Sequence, residues 1–233
     1  GLDARTRAVP ISDIDYSSAF PGDINGGLED YTAAKLLEDI KGASCCIDIH
    51  SSNIFLQEVP QVRLNDDYDE TLLHLSKYMN TDLVWIHPSQ TVNEGSLAYA
   101  LNQMGIPTMV TESGAAFRIR YEYCRQIIDG IFSVMAELGI WKGKTNGKTD
   151  VPFINEDKIC YLNCESSGLF VSYKRLKDHV KKGEIIGIIQ NPLMGATEEE
   201  VIAPVDGILM TLREHPSVTE GSLVARVIGG GKL

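Results

Sequence analysis

Long apolar runs and basic residues are both scarce in this sequence. No run approaches the ~18 apolar residues that a transmembrane helix needs, and residues 1–5 form no apolar signal region. Lysine and arginine number 21 against 32 aspartate and glutamate residues, which gives a net charge of −11. Because phosphate binding needs a basic surface, nucleic acid is excluded as the main partner. We expect a cytoplasmic protein that binds neither membranes nor nucleic acid, and the composition leaves a homo-oligomer open.

Cysteine is also infrequent, with five residues in the chain. Without an export signal, reduced thiols are the expected state. Cys45 and Cys46 lie in an apolar run, which indicates core packing. Cys160 and Cys164 have a C-x3-C spacing without a second pair, and this pattern does not favour a structural zinc site.

The first two-thirds of the chain alternates strand-like and helix-like segments. Short apolar runs predict buried strands at residues 43–49, 83–86 and 108–111. Helical periodicity follows or separates them at residues 30–40, 69–78, 96–104 and 121–138. This alternation predicts an α/β fold with a mostly parallel sheet flanked by helices.

The pattern changes after a polar, glycine-bearing segment at residues 142–150, which has the composition of a linker. Short β-like runs broken by glycine and proline then follow, at residues 168–172, 184–190, 201–204, 207–212 and 223–228. We therefore predict two domains: an α/β domain at residues 1–144 and a small all-β domain at residues 145–233.

Residues able to carry chemistry stand at the ends of two predicted strands: His50 after the first and Glu112 after the third. Sites in parallel sheets form beyond the carboxyl ends of the strands. Asp48 and His50 lie on the same side of a strand, so the carboxylate could fix the tautomer of the imidazole and raise its basicity. A polar residue that only meets solvent at a strand end is the alternative, and the sequence does not give the strand order.

Several motifs in matching order resemble the succinylglutamate desuccinylase/aspartoacylase family of the zinc carboxypeptidase superfamily. DYSSAFPG at residues 15–22 resembles D-L-N-R-x-F-P-G, and IDIH at 47–50 is similar to the D-[LI]-H strand end. Residues 105–114 resemble the G-[IV]-P…[TV]-E-x-G segment. VKKGE…G at 180–187 and APVDG at 203–207 are similar to the C-terminal β domain of the family. The resemblance therefore covers nearly the whole chain.

The resemblance implies a zinc-dependent hydrolase of a small N-acyl amino acid or a related amide or ester. His50 would bind one Zn²⁺, with Asp48 beside it, and Glu112 would be the catalytic general base. Zinc polarises the carbonyl of the acyl substrate and activates a water, whose proton the glutamate passes to the leaving group. An arginine clamps a substrate carboxylate through a bidentate pair.

The sequence departs from the family in its zinc motif. The family takes its other two zinc ligands from H-x-x-E, which is absent here, and catalytic zinc usually needs three protein ligands. We favour a zinc-carboxypeptidase-like domain that is incomplete at its N-terminus, so that the ion needs ligands not present in this chain. The alternative is a non-catalytic relative that binds a small ligand or a partner without zinc.

A second departure concerns the substrate clamp, because the Asn-Arg pair of the family falls on Ser17 and Ser18. Serine cannot make a bidentate contact with a carboxylate. The candidate substrate-binding residues are therefore other arginines, each with the alternative of a solvated surface side chain: Arg5, Arg7, Arg63, and Arg118 or Arg120. The acyl group and the amine of the substrate stay open.

The C-terminal pattern resembles the barrel-sandwich hybrid of biotinyl and lipoyl carriers. A carrier needs a lysine at a hairpin tip, and APVDG at residues 203–207 has none. We expect this domain instead to pack against the catalytic domain and narrow its mouth, which would favour small substrates. We interpret the remaining histidines as structural, including His87 at the edge of the site.

Overall fold

The computed structural model describes residues 8–10, 12–88, 94–147 and 151–230. Four α-helices are present within these ranges: α1 (Leu28–Ile40), α2 (Glu70–Ser76), α3 (Leu97–Gln103) and α4 (Tyr121–Glu137). Each coincides with a segment of predicted helical periodicity. None of these helices is both long enough and apolar enough to cross a membrane.

Five strands belong to the N-terminal part of the described chain: β1 (Cys46–Ser51), β2 (Leu56–Asn65), β3 (Leu83–His87), β4 (Thr108–Gly114) and β5 (Phe153–Asn155). Parallel pairs join β1 to β4, β2 to β3 and β3 to β5, whereas β2 runs antiparallel to β4. The β2 strand was not predicted, because its apolar residues are interrupted by buried polar ones.

The remaining strands follow in the C-terminal part: β6 (Ile159–Asn163), β7 (Gly168–Ser172), β8 (His179–Val180), β9 (Ile185–Gln190), β10 (Thr197–Ile202), β11 (Gly207–Arg213), β12 (Ser217–Val218) and β13 (Leu223–Gly229). One sheet of nine described strands has the order β1-β4-β2-β11-β13-β6, with β3, β5 and β8 attached beside this path. Three of the four pairings among the five described N-terminal strands are parallel, as predicted, but the C-terminal strands add antiparallel pairings to the same sheet. The sheet is mixed, because β2 pairs antiparallel with both β4 and β11.

Two helices pack on each face of the N-terminal part of the sheet. Buried residues of β2, β3 and β4 pack with α2 and α4 in one core cluster, which includes Val62, Val84 and Met109. Cys46 of β1 points the other way and joins α1 and α3 in a smaller cluster. Because successive residues of a strand alternate between faces, Asp48 and His50 share the face of Cys46. Polar side chains on that face form the candidate site.

The C-terminal strands have their own core and also extend the central sheet. A four-stranded sheet with the order β10-β9-β7-β12 contributes Ile186 and Ile189 to a cluster that contains Leu209 and Val224. The antiparallel pair of β11 with β2 aligns Thr211 with Glu58. Hydrogen bonding is thus continuous from the first strands to the last. The barrel-sandwich description and the division at residues 144/145 stay predictions.

Candidate functional site

The structure brings His50 and Glu112 together on neighbouring strands. The parallel register of β1 and β4 aligns them as direct partners, and both stand near the carboxyl ends of their strands. Neighbouring strands lie about 4.8 Å apart, so the imidazole and the carboxylate face the same small volume. The sequence could place each residue at a strand end, but only the pairing of β1 with β4 makes them neighbours.

Asp48 lies beside His50, as the two-residue spacing predicted. Its Oδ1 is 3.1 Å from Nε2 of His50. This hydrogen bond raises the pKa of His50, while burial of the ring acts in the opposite direction. The carboxylate therefore occupies one ring nitrogen and restricts the orientation of the imidazole.

Glu112 is a buried carboxylate, with 8% of the residue exposed. Burial raises the pKa of Glu112, and the nearby Arg63 guanidinium partly opposes the shift. Nη1 of Arg63 lies 3.0 Å from Oε2 of Glu112. Arg63, one of the predicted substrate clamps, thus makes a direct contact with the predicted base.

A second buried carboxylate, Glu58, links Arg63 to the C-terminal strands. Its Oε2 accepts a hydrogen bond of 2.9 Å from Nη2 of Arg63. Its Oε1 accepts bonds from Nη1 of Arg226 at 2.8 Å and from the Thr211 hydroxyl at 3.2 Å. Only 2% of Glu58 is exposed. A single carboxylate therefore contacts two guanidinium groups from strands far apart in the sequence, β2 and β13.

The indole of Trp85 supports both of these guanidinium groups. The Cζ atoms of Arg63 and Arg226 lie 5.2 and 5.3 Å from its ring centroid, within cation–π range. Nε1 of Trp85 donates a 2.8 Å hydrogen bond to Oε2 of Glu156, and the Tyr161 hydroxyl donates one of 2.8 Å to Oε1 of the same residue. Glu156 thus fixes the indole of Trp85 at its Nε1 atom.

These residues surround a cavity of about 250 Å³, which is open to solvent. Its lining combines the strand ends with the loop after β1: His50, Ser51, Ser52, Asn53, Leu56, Glu58, Arg63, Glu112 and Arg226. The predicted residues His50, Arg63 and Glu112 are therefore brought together. Glu58 and Arg226 were not predicted from the sequence. Arg226 is the single charged residue of the apolar β13 strand, a signal that could have identified it, whereas Glu58 lies in β2 among other polar residues and gives no such signal.

Arg118 and Arg120, two of the other predicted arginines, are not part of this lining. The Arg118 side chain is 62% exposed, and its Nε lies 3.6 Å from Oε1 of Glu214. Nη2 of Arg120 donates to the Gln57 side chain at 2.9 Å. Arg5 and Arg7 lie outside the described residues.

The candidate metal ligand stands alone among the side chains that the structure describes. Within those residues, no group of three or more histidine, cysteine, aspartate or glutamate side chains could hold a metal ion. His50 and its Asp48 partner fit one position of a zinc centre. The residues present do not fit a complete centre, so further ligands would have to come from outside the described residues.

His87 is held neutral at the edge of the site. Its ring lies 3.9 Å from the Trp85 ring, centroid to centroid, and the side chain is 21% exposed. Burial lowers the pKa of His87 to about 3, and the positive charges of Arg63 and Arg226 add to the shift. The structure therefore supports a packing role for this ring against Trp85.

Exchange of His87 for phenylalanine is expected to reduce the acid sensitivity of the fold. Below a pH of about 6.5, the unfolded chain protonates this histidine while the folded chain does not, so stability falls as the pH is lowered. We expect the variant to gain about 2–3 kcal/mol relative to the wild type between about pH 6 and pH 4. Urea unfolding across this range measures the difference. Exchange of the exposed His179 for asparagine is the control, and equal pH profiles for wild type and His87→Phe would contradict the prediction.

The mixed sheet, its flanking helices and the buried titratable residues at its strand ends define an α/β protein with a strand-end site. No protein-family model and no curated protein sequence matches the chain. Solved structures do match. The chain is 22% identical to the product-bound ectoine utilization protein EutE (DoeB) from Ruegeria pomeroyi, with a TM-score of 0.82, over 97% of this chain and 71% of that one.

Two further structures support the same assignment of the fold. A succinylglutamate desuccinylase/aspartoacylase from Rhodobacter sphaeroides is 21% identical, with a TM-score of 0.81, over 100% of this chain and 72% of that one. A succinylglutamate desuccinylase from Silicibacter sp. TM1040 is 23% identical, with a TM-score of 0.83, over 97% of this chain and 71% of that one. The chain therefore has the fold of the succinylglutamate desuccinylase/aspartoacylase proteins, as its motifs predicted.

Proposed function

We propose that this chain carries the general base and one zinc ligand of a hydrolase that deacylates a small N-acyl amino acid or a related amide or ester. The observation that carries the proposal is the alignment of His50 with Glu112 at the mouth of a polar cavity. The names of the structural neighbours, desuccinylases and aspartoacylases, give independent support for deacylation.

Glu112 is the group suited to move the proton. Burial raises the pKa of its carboxyl, which brings its basicity closer to that required near neutral pH. The 3.0 Å contact with Arg63 holds one carboxylate oxygen in a defined direction. We assign Glu112 to take a proton from the attacking water and to pass it to the leaving amine.

His50 is the zinc ligand in this proposal, and the other ligands come from outside the described residues. Zinc, when bound, supplies Lewis-acid polarisation of the substrate carbonyl. The described residues contribute by holding the imidazole of His50 and the carboxylate of Glu112 in place. Asp48 orients the imidazole through the 3.1 Å contact, and the strand register sets the distance between His50 and Glu112.

The proposed partner is a small acyl substrate. A cavity of about 250 Å³ is small beside the roughly 300–1,000 Å³ typical of drug-sized ligands. Its polar lining, with two arginines and two glutamates, favours a compact polar molecule over an apolar one.

Metal analysis tests the proposal directly. The full-length protein, purified without chelators, is expected to carry about one zinc per chain, and His50→Ala is expected to lose most of it because a ligand is removed. Exchange of the exposed His179 for alanine is the matched control and should retain zinc. A wild-type protein without zinc would favour the non-catalytic relative that binds a ligand or partner without metal. A His50→Ala variant that retains zinc would contradict the assignment of His50 as a ligand.

A further inference from the structure

Arg226 reaches the candidate site from β13, near the far end of the described chain. Its side chain is 15% exposed and lines the cavity together with Arg63 and Glu112. The pairing of β11 with β13 aligns Arg226 with Thr211, and β11 in turn aligns Thr211 with Glu58 of β2. Three adjacent strands thus carry this arginine to the cavity.

The two arginines of the cavity are engaged to different extents. Arg63 uses Nη1 on Glu112 and Nη2 on Glu58, at 3.0 and 2.9 Å. Arg226 meets Glu58 through Nη1, at 2.8 Å. Arg63 therefore spans two carboxylates of the protein, whereas Arg226 shares the single carboxylate that Arg63 already contacts.

Arg226 is also held in place before any ligand arrives. Glu58 and the Thr211 hydroxyl both lie within hydrogen-bond distance of its Nη1. The rings of Trp85 and Tyr161 lie 5.3 and 5.0 Å from its Cζ. An arginine fixed in this way loses little side-chain freedom when it binds an anion, which favours affinity.

We propose that Arg226, positioned by Glu58 and Trp85, is a specificity-determining residue that binds a side-chain or acyl-chain carboxylate of the substrate, apart from the α-carboxylate of its amino acid. The inference rests on the proposed function and deepens it, because it names an acidic acyl or amine moiety as the substrate class. Guanidinium is the side chain best matched to carboxylate geometry. Arg226 thereby supplies a positive charge that Ser17 and Ser18 cannot provide.

Binding to matched ligand pairs tests this assignment without requiring turnover. N-acetylaspartate and N-acetylasparagine differ by one carboxylate on the amine side, and N-succinylalanine and its terminal amide differ by one on the acyl side. Calorimetry on the full-length wild type should give tighter binding of the acidic member by roughly ten- to hundredfold in one pair. The pair that shows the preference identifies whether Arg226 binds the amine part or the acyl part of the substrate.

The variant Arg226→Gln should abolish that preference and leave the amide member within about twofold of the wild type. Glu58 keeps its bonds to Arg63 and Thr211, so the variant is expected to fold. If Arg226→Gln does not fold, Arg226→Lys replaces it in the experiment. This variant is expected to bind the acidic member roughly three- to tenfold more weakly, with no change for the amide member. Exchange of the exposed Arg175 for glutamine is the control.

Equal weakening of both members of each pair by Arg226→Gln would overturn the assignment, as would a wild type that prefers neither acidic ligand. Failure of the proposed function has a different signature. In that case no ligand is hydrolysed, with or without added zinc, although the Arg226-dependent preference in binding persists.

Discussion

Exchange of Glu112 for glutamine is expected to lower kcat for acyl hydrolysis by about 10²–10⁴-fold, the range attributed to a positioned general base. Glutamine has nearly the same shape and can still accept a hydrogen bond from Arg63, but it cannot take a proton from water. The KM should change much less than kcat, because the carboxylate acts on the reacting water more than on bound substrate. Steady-state kinetics with an N-acyl amino acid measures both constants.

Glu214→Gln provides the matched control for this experiment. Glu214 lies 3.6 Å from the exposed Arg118 side chain and is not among the residues that line the cavity. Its exchange should leave kcat within about twofold of the wild type, since surface substitutions away from the site have small effects. A Glu112→Gln variant that hydrolyses its substrate as fast as Glu214→Gln would remove Glu112 from the mechanism.

Removal of the Glu58 side chain is expected to cause the largest loss of stability. Glu58→Ala leaves Arg226 without its carboxylate partner and leaves Arg63 with Glu112 alone. Breaking a buried pair in this way typically costs about 3–5 kcal/mol, because charge stays buried without compensation. Urea unfolding measures the difference. Glu200→Ala, at an exposed position of β10, is expected to stay within about 0.5 kcal/mol of the wild type.

A double-mutant cycle separates the ion pair from simple loss of packing. If Arg226→Ala is added to Glu58→Ala, the second exchange removes a guanidinium group that has already lost its partner. The double variant should therefore cost less than the sum of the single variants, by about 1–3 kcal/mol. Strictly additive losses would show that Glu58 and Arg226 contribute independently, which is contrary to the 2.8 Å contact.

Local sequence patterns were sufficient for much of the N-terminal part of the fold. The apolar run of β3 and the helical spacing of α4 each predicted the element that the structure contains. Strand-end position and motif resemblance together selected His50 and Glu112. The predictions of β3 and α4 succeeded because each depends on residues close together in the chain, whereas the roles of His50 and Glu112 stay predictions.

Features that depend on distant pairing could not be predicted in the same way. β2 has buried polar residues such as Glu58 and Gln61, so it lacks the apolar run expected of an interior strand. The buried charge of Glu58 is explained only by the pairing of β11 and β13 with β2, which brings Thr211 and Arg226 beside this side chain. Glu58 and Arg226 are 168 positions apart, and no local pattern indicates that they share one ion pair.

The pairing of β2 with β11 has a consequence for how this protein can be divided. A chain cut near residue 145 would lose β11 and leave the Leu56–Glu58 segment of β2 with exposed backbone donors and acceptors, which invite strand-to-strand association with other molecules. The same cut would remove Arg226 and Thr211, whose side chains donate hydrogen bonds to Glu58. Contacts of such long sequence separation also form slowly during folding. The N-terminal part is therefore expected to aggregate when it is expressed alone, and the site should assemble only after the last strands have been synthesised.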